Sequence, residues 1–374
     1  MESEKRGIIE VSHFTLEESM SKSVLSSILK VAGNEYATIA EEGIIAGDIT
    51  SWLDTGSYGL NALLSGSIYK GLAGNKILGL AGEPSVGKTY FALEICKNFL
   101  NANPNGFVVY FESESAISKD MLQNRKLDVS RILVLPVQTV EEFRTQATKI
   151  INEYISQKET DRAPMIFVLD SLGQLSTNKE MADIASGNDK RDMTKQQLIK
   201  GAFRALTLRL GKYNIPMIVT THTYETQGDY IPKKVASGGS GMQYAGSQII
   251  FLSKKKEKDN NEIVGSLITA SLFKSRFTIE NKKVETLLRY DSGLDKYFGL
   301  LDLAEKFGIV KKVSTKYEFP DGTKAFEIEI KRHPEKYFTK ELLDSIDAVC
   351  PGEFLYGTVD YTGKTDVTIN ASAI

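Results

Sequence analysis

Apolar residues in this chain fall into two alternating patterns. Unbroken runs, Ile77-Leu78-Gly79-Leu80-Ala81, Phe107-Val108-Val109-Tyr110-Phe111, Ile132-Leu133-Val134-Leu135 and Met165-Ile166-Phe167-Val168-Leu169, read as short strands, the second and fourth with the composition of buried parallel ones. Between them, residues 90–100, 118–125 and 140–155 place apolar side chains at helical spacing, with Phe143, Ala147, Ile150, Ile151 and Tyr154 in register in the last. A helix over 194–212 then leads to a strand at 217–221. Strands and helices alternating in this way predict an α/β fold, with a mostly parallel central sheet covered on both faces.

Outside this core the pattern changes. Residues 16–31 predict a short helix with Met20, Val24, Leu25, Ile28 and Leu29 on one face, packed either on its own domain or on a neighbouring subunit. Leu60, Leu63 and Leu64 predict another short helix beneath the core. Residues 177–192 and 223–241 are polar, the second including Ser237-Gly238-Gly239-Ser240-Gly241. They read as two loops too long for simple connection and leaving the same region of the sheet, hence functional. Strands at 248–252 and 265–273 pair through the charged turn 254–261, and 284–290 adds another. From about residue 299 a small α+β region is expected, with helices at 300–307 and 339–349 and a hairpin over 316–330 about Pro320-Asp321-Gly322.

The 374 residues, 41% hydrophobic and 25% charged, suit a globular chain with one dominant domain and smaller attachments. No apolar run approaches the roughly twenty residues that span a bilayer. The polar start, Met1 to Arg6, lacks a signal-peptide pattern. Only Cys96 and Cys350 are present, so a disulfide framework is not expected and a reducing cytoplasm is. A net charge of −2 does not announce a nucleic-acid binder, so any DNA contact must come from basic residues gathered on one face.

The chemistry centres on Gly82-Glu83-Pro84-Ser85-Val86-Gly87-Lys88-Thr89, placed between an apolar strand and a helix. The glycines let backbone N–H groups wrap an anion at a helix N-terminus, Lys88 sets a cation against the β- and γ-oxygens, and the Thr89 hydroxyl suits Mg²⁺. Asp170, at the end of a later strand, is where a carboxylate for Mg²⁺ belongs. Glu112 and Glu114 both follow the preceding strand, and either can orient and deprotonate an attacking water; spacing does not choose between them. His222, one residue past its predicted strand, is placed to hydrogen-bond a γ-phosphate or to serve the fold alone. Lys274 and Arg276 suit an arginine-finger role in a neighbouring site, or a solvated pair. Lys190, Arg191, Lys195 and Lys200 flank the first long loop and Lys233 and Lys234 the second, while Gly238 and Gly239 let backbone N–H groups approach phosphates.

The phosphate loop, Ser113-Glu114, Leu169-Asp170-Ser171, Thr221-His222-Thr223-Tyr224-Glu225-Thr226, Gly238-Gly239, Lys274-Ser275-Arg276 and Tyr290-Asp291-Ser292-Gly293-Leu294 occur in one order. In that order the chain resembles the RecA-type recombinases, and within them the T4-type phage branch. The resemblance implies a RecA-like ATPase core that binds ATP and Mg²⁺ between subunits of a helical filament on single-stranded DNA and pairs it with a homologous duplex. It implies that Glu114 is the general base, His222 the γ-phosphate sensor, and Lys274 and Arg276 cations reaching the neighbour's ATP. Tyr290 is implied to stack on adenine, and Arg204 joins the DNA contacts. The division implied is a polymerisation arm and linker over 1–50, a core with two DNA-binding loops over 51–298, and a small domain over 299–374. Implied partners are duplex DNA, a recombination mediator and a single-stranded-DNA-binding protein, in a bacterial host's cytoplasm. The end, Thr368 to Ile374, is not the acidic tail expected of the nearest relatives. Lys254 to Lys256 are a candidate secondary duplex site by charge and position. A hexameric helicase and an ATP-binding paralogue that modulates a partner are the alternatives.

Overall fold

Three of the unbroken apolar runs form strands buried on both faces, as a parallel sheet between helical layers requires, whereas the run 132–135 forms the edge strand of the sheet, with Leu133 (50%) and Val134 (38%) exposed. The computed structural model describes residues 22–188, 192–225, 234–236, 239–259, 262–290 and 292–357. A helix over 22–32 (α1) precedes β1 (Trp52–Leu53), the wholly buried α2 (Tyr58–Ser65) and β2 (Leu72–Ala73). The α/β repeat follows as β3 (Ile77–Gly82), α3 (Lys88–Ala102), β4 (Phe107–Glu112), α4 (Lys119–Asn124), β5 (Ile132–Pro136), α5 (Val140–Ser156) and β6 (Met165–Asp170). Next come α6 (Asn178–Ala185), α7 (Lys195–Lys212), β7 (Met217–Glu225), β8 (Lys234–Ala236) and α8 (Gly239–Ala245). Three antiparallel strands, β9 (Gln248–Asp259), β10 (Glu262–Ser275) and β11 (Lys283–Arg289), continue through β12 (Gly293–Leu294). The C-terminal part holds α9 (Leu300–Lys306), the small sheet β13 (Lys311–Val313), β14 (Lys316–Glu318) and β15 (Lys324–Phe326), then α10 (Glu327–Arg332), α11 (Pro334–Tyr337) and α12 (Lys340–Phe354).

The main sheet runs β12-β11-β10-β9-β3-β7-β6-β4-β5, and β8 pairs with β7. Its central strands, from β9 through β3, β7, β6 and β4 to β5, are parallel. Their carboxyl ends therefore lie together, which is where open α/β sheets bind ligands. Period-two alternation divides the core. Leu78, Leu80, Val108, Tyr110, Ile166 and Val168 pack on one face with α2 and α3, in a cluster that also takes in Ile346 and Phe354 of α12. Ile77, Val109, Phe111, Phe167, Leu169 and Val219 pack on the other with α5 and α7.

Several boundaries differ from the sequence expectation, each for a local reason. The first polar stretch is not all loop. Thr177 and Glu180 close a capping box that starts α6, and buried Asp192 accepts from the Thr177 hydroxyl at 2.8 Å. In the second stretch, β7 runs on to Glu225 and pairs with β8, and Gly239 begins a helix, so His222 lies inside a strand rather than beyond one. The charged residues 254–259 continue β9 because the antiparallel ladder with β10 extends through them. The hairpin about Pro320-Asp321-Gly322 forms, but residues 327–330 are helical, and the last helix continues to Phe354. The predicted stripe of α1 is exposed at Val24 (57%), Leu25 (47%) and Ile28 (59%), with Leu29 half-buried, so the described residues leave most of it uncovered. Met20 lies outside the described residues. No helix among the described residues is long and apolar enough to cross a membrane.

Phe167 is fully buried and meets Phe111 edge-on at 5.4 Å between ring centroids. Phe167→Ala is expected to cost about 3–5 kcal/mol, read as a lower midpoint in equilibrium denaturation.

Candidate functional site

The loop after β3 is built to expose amides. Ser85 and Gly87 adopt left-handed backbone, at φ +60° and +105°, and α3 starts directly at Lys88. This turns successive N–H groups and a helix N-terminus toward one concavity. The Lys88 ammonium lies under the loop and donates to the carbonyls of Gly82 at 3.0 Å and Glu83 at 2.9 Å, with His222 Nδ1 at 3.3 Å. Burial lowers its pKa, while the charges of Glu114 and Asp170 raise it.

Asp170 is 3% exposed at the end of β6. One carboxylate oxygen accepts from the hydroxyls of Thr89 at 2.7 Å and Tyr110 at 2.6 Å, and the other accepts from Thr220. Burial and the adjacent Asp170 raise the Tyr110 pKa well above its ordinary value, so its phenol stays a proton donor. The Asp170–Ser171 peptide is cis.

Glu112 and Glu114, which spacing leaves equivalent, have different surroundings. Glu112 is 8% exposed and accepts the backbone N–H groups of Glu114 at 3.0 Å and Ala116 at 2.8 Å, capping the turn after β4. Glu114 lies beyond the strand, accepts from the Ser171 hydroxyl and meets His222 Nε2 at 3.1 Å. His222 is paired in register with Gly82, so its imidazole stands between Lys88 and Glu114. A cation, a hydroxyl beside a carboxylate, and a second, solvent-accessible carboxylate therefore converge at one end of the sheet. That arrangement can hold a polyphosphate with a hard divalent ion and can take a proton from water.

Other candidates lie further away. Tyr290, just past β11, is 66% exposed on the side of the sheet where Leu288 meets the start of α3. Lys274 is inside β10, opposite Ile249, and is level with Gly79 rather than with the loop. Its ammonium donates to the carbonyls of Gln243 and Gly246 at the end of α8, and burial lowers its pKa. Arg276 donates to Tyr244 O at 3.3 Å, so both cations hold one helix C-terminus away from their own chain's phosphate loop. Lys195 pairs with Glu180 at 3.7 Å, Lys200 stands 5.1 Å over the Tyr244 ring, and Arg204 is exposed one turn further along α7. Lys234 begins β8 and Gly239 begins α8; Lys190, Arg191, Lys233 and Gly238 lie outside the described residues.

Sequence reasoning missed Tyr110, Thr220 and Ser171. Each had one signal, a hydroxyl in or beside an otherwise apolar strand: Tyr110 and Thr220 donate to the buried Asp170, and Ser171 to Glu114. It also missed the stack of Arg125 over Tyr90, at 3.3 Å from the ring centroid, beside the loop helix.

Fold and site together define a phosphate-loop α/β protein with a doubly covered parallel sheet. The profile of the RecA N-terminal domain matches residues 22–295. The chain belongs to the RecA family. It is similar to the recombination and repair protein of Enterobacteria phage T4, with 30% identity over 253 residues, 68% of this chain. That match spans 63% of the phage protein's length. Protein RecA of Paracoccus denitrificans is 24% identical over 71% of each chain. Protein RecA of Bacteroides thetaiotaomicron is 24% identical over 76% of this chain and 83% of its own.

The two glutamates are separable by stability. Glu112→Ala orphans two amides and is expected to cost about 2 kcal/mol in thermal unfolding, against about 1 kcal/mol for Glu114→Ala, which leaves one buried hydroxyl, that of Ser171, and a partly exposed imidazole.

Proposed function

We propose that this chain is an ATP-dependent DNA strand-exchange recombinase, a DNA-dependent ATPase that assembles as a helical filament on single-stranded DNA and pairs it with a homologous duplex. The observation that carries the reading is the line from Lys88 through His222 to Glu114, set beside the Thr89–Asp170 pair in a chain of the RecA family. The phage T4 relative bears the name recombination and repair protein, and others bear the name RecA.

The donor set fits Mg-ATP: amides at a helix N-terminus, an ammonium, and a hydroxyl beside a carboxylate. Bound ATP supplies a phosphoanhydride bond and terminal-phosphate charge. Gly82 to Thr89 would cradle the phosphates, Thr89 and Asp170 would hold Mg²⁺, and Tyr290 would stack on the base. Lys88 would exchange the Gly82 and Glu83 carbonyls for phosphate oxygens. Glu114 would accept a proton from water, since Glu112 is occupied with backbone amides. His222, released by Lys88, would report the phosphate along β7 toward the second DNA-binding loop.

DNA contacts are assigned to Lys190, Arg191, Lys195, Lys200, Arg204, Lys233 and Lys234, with Gly238 and Gly239 allowing close backbone approach. Lys274 and Arg276 are assigned to a neighbouring subunit's ATP, and the exposed stripe of α1 to polymerisation within the 1–50 arm. The rest of the division is a 51–298 core and a 299–374 C-terminal domain. The remaining assignments are a bacterial host's cytoplasm, a phage mediator and a single-stranded-DNA-binding protein.

ATP hydrolysis with and without single-stranded DNA, on samples imaged by negative-stain electron microscopy, tests the reading. DNA-stimulated turnover with open helical filaments is expected. Closed rings would favour a helicase, and DNA-independent or absent turnover without filaments a modulating paralogue. Lys88→Ala is expected to abolish both activities. Glu114→Gln is expected to keep filaments while lowering turnover at least about a hundredfold, as loss of a general base does; filaments that dissolve as fast as wild type count against Glu114. Mixing Lys88→Ala subunits with Lys274→Ala/Arg276→Ala subunits is expected to restore part of the turnover that neither shows alone, and no restoration removes the in-trans assignment.

A further inference from the structure

We infer that Lys254 is a positioning residue of the phosphate loop, an ammonium on β9 that braces the loop from outside while Lys88 serves it from beneath. The inference rests on the reading that the loop binds a nucleoside triphosphate. By charge alone Lys254 belongs to a basic turn suited to duplex DNA, but the structure gives it other work. β9 is parallel to β3, with Leu252 beside Gly82 at the root of the loop. The two backbones are so close there that a Cβ on Gly82 would stand 2.9 Å from Leu252 O. Two residues further along β9, on the same side of the strand as Leu252, Lys254 extends to the loop apex and donates to the carbonyl of Ser85.

Ser85 is the loop's non-glycine residue with left-handed backbone, at φ +60°. A loop that points its amides at an anion must turn carbonyls outward, and Ser85 O is the one β9 reaches. A charge-assisted hydrogen bond to that carbonyl has two consequences. It holds Ser85 in its strained conformation, and it polarises the peptide whose other end is the Val86 N–H, strengthening that amide's 3.4 Å hydrogen bond to the Glu83 carbonyl and so the turn that shapes the loop around an anion. The positive charge itself also stands at the lip of the anion site.

The test is equilibrium binding of a fluorescent ATP analogue with Mg²⁺, without DNA, to wild type, Lys254→Met and Lys254→Arg, with duplex DNA binding measured separately across a salt series. Lys254 is exposed, so both variants are expected to melt with wild type. Lys254→Met is expected to weaken nucleotide binding about five- to tenfold, the loss expected of one charge-assisted hydrogen bond at an exposed site, with Lys254→Arg restoring most of it and the duplex salt slope unchanged. Nucleotide affinity unchanged within about twofold overturns the inference; a duplex salt slope lower by about one would then place Lys254 on DNA phosphate. Equal weakening by Met and Arg also overturns it. A wild type that does not bind the analogue removes the nucleotide reading itself, and this inference with it.

Discussion

One buried carboxylate holds the carboxyl end of the sheet together. Asp170 is on β6, and the hydroxyls that satisfy it come from Thr89 on α3, Tyr110 on β4 and Thr220 on β7. A carboxylate taken out of water is tolerable only when hydrogen-bonded, so the four elements are held in one relative arrangement. That arrangement fixes the site. With Glu112 beside Asp170 and His222 beside Gly82 in register, the turn after β4 and the middle of β7 face each other across the start of α3.

The second constraint is the Lys88 ammonium, which burial makes costly to charge and which two carboxylates offset. Its hydrogen bonds to the Gly82 and Glu83 carbonyls meet the demand for acceptors without any anion in the loop. A phosphate would therefore exchange one set of acceptors for another, not satisfy a bare charge, so the gain in binding is a difference between two solvated states. His222 contacts Lys88 on one ring nitrogen and Glu114 on the other, and Glu114 meets Ser171. Moving the ammonium changes the partners of a group on β7 and, through Glu114, of the residue that follows Asp170.

The inner parallel strands were legible because burial on both faces leaves unbroken apolar runs, and the phosphate loop because few other sequences put glycines, lysine and threonine between strand and helix; β5 carries an equally apolar run at an exposed edge. What escaped had weaker local signals. The short α6 has little apolar stripe; its start is set by Thr177 and Glu180 and its base by Asp192, fifteen residues on. The charged half of β9 reads as a turn because an antiparallel ladder is made by backbone groups and needs only a partner strand, not apolar residues. Tyr110 and Thr220 read as core because nothing in sequence brings them to Asp170. The choice between Glu112 and Glu114 depends on which one folds back onto the backbone, a fact of three dimensions.

Lys274 and Arg276 impose a geometric condition on any assembly. At about 3.3 Å per residue, Gly79, level with Lys274, lies roughly 10 Å along β3 from Gly82, and both cations are turned to the end of α8. Within one chain they and the phosphate loop occupy opposite ends of the sheet. If they serve a phosphate loop, it belongs to another copy, whose carboxyl end must face this chain's amino end. Such a contact is head-to-tail, using two different patches, and so repeats without closing unless its rotation happens to complete a ring. The hydrogen bonds they make to helix carbonyls would then be what a neighbouring phosphate competes against. The order of the end of α8, which follows β8 and the second polar stretch, would change with occupancy of the next subunit's site.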